Sequence, residues 1–211
     1  MLVYIYYYLM LISFATGCFY LKHRYVQLLV ALLSISILTE IAVEIRGKDA
    51  NHHYIFYHFF VIFEYAFITL ILRSWISSKR VRKIMLVSIF AFSILSLLIS
   101  FYVQDFSFHP SINLNIEGLL ILTWCIISFF SITPLENAPI YYLPAFWITL
   151  AFLLYFAGTL GVNGVYNMLA EKVSDAKKIY TLFSSISNYL LYIFITIGIL
   201  CQKWDLKYSA Q

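Results

Sequence analysis

Seven runs of about twenty mostly apolar residues, separated by short charged or proline-bearing connections, occupy this chain from end to end. Wound as helices, runs of that length match the hydrocarbon thickness of a bilayer. They fall near residues 2–20, 25–45, 52–72, 84–103, 114–132, 142–162 and 179–201. Within 211 residues they leave no room for a soluble catalytic or signalling domain. The expectation is an all-α polytopic membrane protein, a seven-transmembrane-helix bundle forming one domain over residues 1–211. Charged residues make up only 11% of the chain, against about 25% in soluble domains, which excludes nucleic-acid binding. Pro110, Pro134, Pro139 and Pro144 stand at or next to the proposed breaks, where a missing N–H and a fixed φ cost least.

The net charge of +4 reports topology, because Lys and Arg sit in the connections. Lys22, Arg24, Arg73, Lys79, Arg80, Arg82, Lys83, Lys203 and Lys207 fall on one side; Arg46, Lys48, Lys172, Lys177 and Lys178 fall on the other. Basic connections stay cytoplasmic, so the N-terminus is expected outside and the C-terminus inside, in a multi-pass protein of the inner (cytoplasmic) membrane. The opening MLVYIYYYLMLISFATG has neither a basic leader nor an Ala-x-Ala cleavage pattern, and reads as a retained first span. Cys18, Cys125 and Cys201 are isolated, which predicts neither a disulfide framework nor a zinc finger. Tyr4, Tyr6, Tyr7, Tyr8, Tyr20, Tyr54, Tyr141 and Tyr142 crowd the span ends and are expected to anchor at headgroup level.

The ionisable residues left inside the spans are the functional candidates, since each is costly unless it faces the bundle interior, a partner or water. Glu40 and Glu44 share a face of span two, four residues apart. Span three opens with Asn51, His52, His53, Tyr57 and His58, and reaches Glu64 about 18 Å below His52. His53, Tyr57 and Glu64 fall within about 40° on a helical wheel, while His58 points away from them. At that depth Glu64 is expected to be protonated or closely paired. Glu117 enters on span five, and spans six and seven add Asn163, Asn167 and Asn188. Together Glu40, Glu44, His53, Tyr57, His58, Glu64, Glu117, Asn163 and Asn188 predict a polar pocket in the outer half of the bundle. The competing reading gives Glu44, His52, His53 and Glu117 to headgroups or water, and makes Glu40 and Glu64 partners in structural hydrogen bonds.

Several chemistries fail on the residues. A retinal Schiff base needs a lysine within the last span, and the segment from Ile179 to Cys201 has none. The same segment lacks the histidine pair of a seven-helix zinc amidase. No cofactor is expected; a divalent metal on His53 or His58 with Glu40, Glu44 or Glu117 rests only on the affinity of imidazole and carboxylate for such ions. Gly158, Gly161 and Gly164, followed by Asn163 and Asn167, are read as the helix end fraying into an outer loop rather than as a close helix contact.

Asn51, Tyr57-His58 and Glu64, with Glu40 upstream, then Pro144-Ala-Phe-Trp147, Tyr155-Phe-Ala-Gly158, and Asn188 with Tyr192, carry a resemblance over nearly the whole chain. The sequence resembles a family of uncharacterised seven-helix membrane proteins abundant in the Bacteroidetes, with His52 standing where that family carries a second Asn. The resemblance implies the fold and marks these positions, and implies no activity. The function expected from the residues is a receptor-like or ligand-sensing membrane protein that binds a small molecule or lipid from the outside and signals through a separate cytoplasmic partner. The alternatives are an intramembrane lipid-modifying enzyme using His58 or His53, a proton- or cation-coupled carrier, and a purely structural bundle.

Overall fold

A computed structural model of the protein describes residues 2–46, 54–133, 139–172 and 176–202, with the side chains of all of these except 2–4, 161 and 163–180. The described residues form α-helices and one short 3-10 turn, with no strand. The helices are α1 (Leu2–Phe19), α2 (Arg24–Arg46), α3 (Ile55–Arg73), α4 (Lys79–Tyr102), α5 (Ser111–Ser131), α6 (Pro144–Lys172) and α7 (Ala176–Leu200). Four of them, α2 to α5, and the stretch Thr181–Leu200 of α7 are each long and apolar enough to cross a bilayer. The apolar stretches Ile5–Phe19 of α1 and Pro144–Leu160 of α6 are shorter. Large apolar side chains cover the exterior, among them Phe130, 89% exposed, and Phe90, 71% exposed, as a lipid-facing surface requires.

Proline and serine set several helix ends. Pro110 precedes α5, and Pro144 opens α6 at the position where a missing N–H is harmless. Ser78 caps α4 by accepting from the Val81 amide at 3.5 Å, so Lys79, Arg80, Arg82 and Lys83 form its first turn rather than a loop. Cations there oppose the helix dipole, and their long stems let them reach the headgroup layer.

Helix contacts run from α1 to α2, α3, α5, α6 and α7 and back to α1, closing a ring of six, while α4 packs against α3 and α5 from outside. Only one face of α4 is covered, through Met85, Phe92, Ser96, Ile99 and Ser100.

One expectation is corrected here. Gly158, Gly161 and Gly164, with Asn163 and Asn167, lie inside α6, which continues to Lys172 instead of ending in a loop near residue 162. At Gly158 the reason is visible: a Cβ would stand 2.5 Å from Ser187 Oγ, so the missing side chain lets α6 and α7 approach closely. Gly198 does the same lower down, where a Cβ would meet Ile148 Cγ1 at 2.6 Å and the Pro144 carbonyl at 3.3 Å. Lipid offers no hydrophobic drive between helices, so such close approaches and interhelical hydrogen bonds hold the ring. Ser13 bonds the Tyr192 carbonyl at 3.0 Å and Thr196 Oγ1 at 2.8 Å, tying α1 to α7. Trp124 Nε1 donates to Tyr65 Oη at 3.0 Å, and Tyr65 Oη meets Ser88 Oγ at 2.8 Å, tying α5 to α3 and α4.

Since Ile148 is fully buried and has little room to yield, Gly198→Ala is expected to cost about 1–3 kcal/mol, the range for overpacking a filled site. Combined with Ile148→Ala, it should cost less than the two single losses added, in unfolding of the detergent-solubilised protein. Additive losses would show that the helices have space to spare at this contact.

Candidate functional site

The six-helix ring encloses a cavity of about 330 Å³. Its lining comes from α1, α2, α3, α5, α6 and α7, together with Tyr54 and His109, and none comes from α4. Along the bundle it extends from the end bearing the α4–α5 connection, at His109 and Thr181, past mid-helix to Ile68 and Ile195, each five residues from the far end of its helix. The opposite ends of the helices contribute nothing to it.

Two carboxyls face this space. Glu40, on α2, accepts hydrogen bonds on Oε2 from Tyr7 Oη at 3.1 Å and Tyr57 Oη at 3.4 Å, so one oxygen gathers donors from α1 and α3. Tyr6 lines the cavity next to this pair, its ring centroid 4.1 Å from that of Tyr7. Glu64, two turns below Tyr57 on the same face of α3, is 8% exposed and accepts no hydrogen bond from any described residue. The Tyr192 hydroxyl, which donates to Met10 Sδ at 3.3 Å, lies within electrostatic reach of both Glu40 and Glu64.

Glu117 stands behind Glu64. It does not line the cavity; it is fully buried on α5, within electrostatic reach of Glu64, and neither of its oxygens has a hydrogen-bond partner among the described residues. Such a carboxyl needs a proton or a cation beside it to remain in a dry interior. The backbone of α5 comes close to α6 at this level, since a Cβ on Gly118 would touch Leu160 Cδ1 at 3.0 Å.

His58 belongs to a different network. Its Nε2 meets the Phe108 carbonyl at 3.1 Å, and a carbonyl only accepts, so Nε2 carries the hydrogen. Its Nδ1 then accepts from Ser100 Oγ at 2.8 Å, which in turn accepts from Asn113 Nδ2 at 3.0 Å. The imidazole thus fastens α3 to α4 and to the α4–α5 connection, with Phe106 edge-on at 5.0 Å. Gln104 closes the same connection by donating to the His109 carbonyl at 2.6 Å.

Of the residues singled out from sequence, the structure therefore brings Glu40, Tyr57, Glu64 and Asn188 to one cavity and puts Glu117 beside it. Asn188 donates to the Ser184 carbonyl of its own helix at 2.8 Å. Glu44 is exposed one turn beyond Glu40, and His58 turns to the α4–α5 connection. His53 lies outside the described residues, as do the side chains of Asn163 and Asn167. Among the described residues no group of three or more His, Cys, Asp and Glu side chains is placed to hold a metal ion.

Four contributors were not recognised as such. Tyr6, Tyr7 and Tyr54, expected at the headgroup level, turn to the interior instead: Tyr6 and Tyr54 line the cavity and Tyr7 holds Glu40, while Tyr8 is 68% exposed. The fourth, His109, is buried in the connection and lines the cavity beside Tyr54, whose ring it meets edge-on at 5.6 Å. A histidine just before the proline that opens span five was the available signal. Burial, and to a smaller extent the charge of nearby His58, pushes the His109 imidazole down to about 4 from its ordinary 6.5. It is uncharged at neutral pH. Comparison with family models, with curated proteins and with solved structures returns no match for this chain.

Between pH 6.5 and about 4 the unfolded chain binds a proton at His109 that the folded chain does not. Stability contributed by this group is therefore complete above that window and falls as pH drops through it, by on the order of 3 kcal/mol. His109→Gln should flatten the fall between pH 7 and pH 4.5 in unfolding of the solubilised protein. An unchanged pH dependence in the variant would place His109 in water.

Proposed function

We propose that this chain is a receptor-like protein of the cytoplasmic membrane that binds a small molecule in the lumen of its helix ring and passes the event to a separate cytoplasmic partner. In this reading all seven helices span the bilayer, as in the family the sequence resembles, with the N-terminus outside and the C-terminus inside. The observation that carries it is the 330 Å³ cavity with Glu40 and Glu64 in its wall, which begins at the end of the bundle bearing the α4–α5 connection and stops short of the other end. That volume lies in the range of small-molecule sites. The charge asymmetry of the connections turns this end outward.

Helix α3 links the site to the other side. From Glu64 to Arg73 it runs about 14 Å at 1.5 Å per residue, and Arg73 Nε donates to the Arg82 carbonyl at 3.1 Å. A ligand that moves Glu64 moves the basic turn between α3 and α4, the surface for a partner to read. The carrier alternative needs an opening at the other end as well, and the lining stops at Ile68 and Ile195, five residues short of the helix ends there. Of the two histidines on which the lipid-modifying enzyme was expected to draw, His58 is held away from the cavity by Ser100 and Phe108, and His53 lies outside the described residues.

Native mass spectrometry of protein extracted gently from membranes should show one small molecule per chain, lost in Ser36→Phe, which fills the cavity wall. Equal retention by that variant would contradict binding in the lumen. In cells whose protein has Cys18, Cys125 and Cys201 replaced by alanine, a membrane-impermeant maleimide should label Asp105→Cys and spare Ser78→Cys. The reverse pattern would invert the orientation.

A further inference from the structure

We propose that the luminal site selects a small organic cation, an ammonium group carrying an apolar substituent. This rests on the small-molecule reading above and assigns its ligand class. The first observation is Glu64, which faces the cavity, is more than nine-tenths buried, and receives no hydrogen bond from a described residue. Glu40 already has two tyrosine donors, so its charge is partly answered within the protein. Glu64 has no such answer, and a buried carboxylate requires one.

The second observation is what else forms the wall. Tyr6, Tyr54, Tyr57, Tyr155 and Tyr192 line the cavity, and aromatic faces attract a desolvated cation by about 2 kcal/mol or more. No described Lys or Arg lines it, and His109 is uncharged at neutral pH, so the described wall offers an anion no positive charge and sets two carboxyls against it. A neutral apolar molecule would make no use of Glu64, which would then have to hold a proton. A bare metal ion would find too few ligands, since no described group of three His, Cys, Asp and Glu side chains converges, and would leave most of the volume unfilled. The deep end of the lining, below Glu64, is apolar, with Leu33, Ile68, Phe152 and Ile195, which suits a substituent of a few carbons there and not a second charge.

The recognition geometry follows. The ammonium group lies between Glu64 and the rings of Tyr57 and Tyr192, and the apolar substituent points toward Ile68 and Phe152. The interaction is non-covalent and exchanges with solvent.

The test uses benzyltrimethylammonium and its uncharged carbon isostere neopentylbenzene on the full-length purified protein, read by thermal unfolding and isothermal titration. The cation should raise the unfolding temperature saturably and the isostere should not. Glu64→Gln should weaken cation binding at least tenfold, and Glu40→Gln by less. Glu64→Gln folding is checked by its unfolding transition without probe; should it fail to fold, Tyr192→Leu serves in its place with the same expected direction. Equal binding of both probes, or full cation affinity in the Glu64 variant, would overturn the proposal. Native mass spectrometry separates this failure from that of the parent reading. A neutral or anionic molecule found in the lumen would overturn the cation and leave the receptor-like reading standing; an empty lumen together with no response to either probe would overturn both.

Discussion

A carboxyl group set against acyl chains has no partner to meet its hydrogen-bonding capacity, and in this bundle that cost decides which way three helices face. Glu40 on α2, Glu64 on α3 and Glu117 on α5 all turn inward, and once they do, the apolar remainder of each helix is directed to lipid or to its neighbours. The helices bearing them are neighbours in the ring, α2 beside α3 and α3 beside α5, so the three groups occupy one sector of the interior. Tyrosines from α1, α3 and α7 complete that sector. A polar chamber follows directly from keeping ionisable groups out of hydrocarbon.

The ring needs other means to hold together, because burying leucine against leucine gains little where the solvent is itself hydrocarbon. Close backbone approaches at Gly17, Gly158 and Gly198 and the hydrogen bonds through Ser13, Tyr65 and His58 meet that need. They are distributed around the circumference: α1 to α2 and α7, α6 to α7, α3 to α4 and α5. Among the described residues none of these ties reaches Glu64, which leaves that carboxyl available to something other than protein.

The bundle was legible in the sequence to different depths. Positions of the apolar runs follow from hydropathy alone, because every residue of a span must tolerate lipid or its neighbours. The inward direction of Glu40 and Glu64, and the outward turn of His58 relative to them, follow from helical periodicity applied to a few costly residues. The direction of α1 was not legible: its residues are apolar around the whole circumference, so a wheel gives no reason to send Tyr6 and Tyr7 inward and Tyr8 outward. The partner that decides it, Glu40, lies thirty-three residues away. Reading Gly158 to Asn167 as a frayed end applied a rule from aqueous helices, where glycine and asparagine release backbone to water. Beside α7 the same glycine instead admits a neighbour, and α6 keeps its internal hydrogen bonds. The place of His109 was not legible, because nothing in the sequence of a connection tells whether it folds back into the chamber or stays in water.

The convergence of carboxyls from separate helices is the claim on which the chamber, its ligand and its coupling to α3 all stand. A double-mutant cycle on Glu64→Gln and Glu117→Gln, measured by unfolding in detergent, addresses it most directly. Two carboxyls in electrostatic contact inside a dry bundle should show an interaction energy of at least about 0.5 kcal/mol, because removing the charge of either changes what the other must bear. Losses or gains that add within about 0.3 kcal/mol would mean that the two side chains do not sense each other, and that no shared polar interior exists.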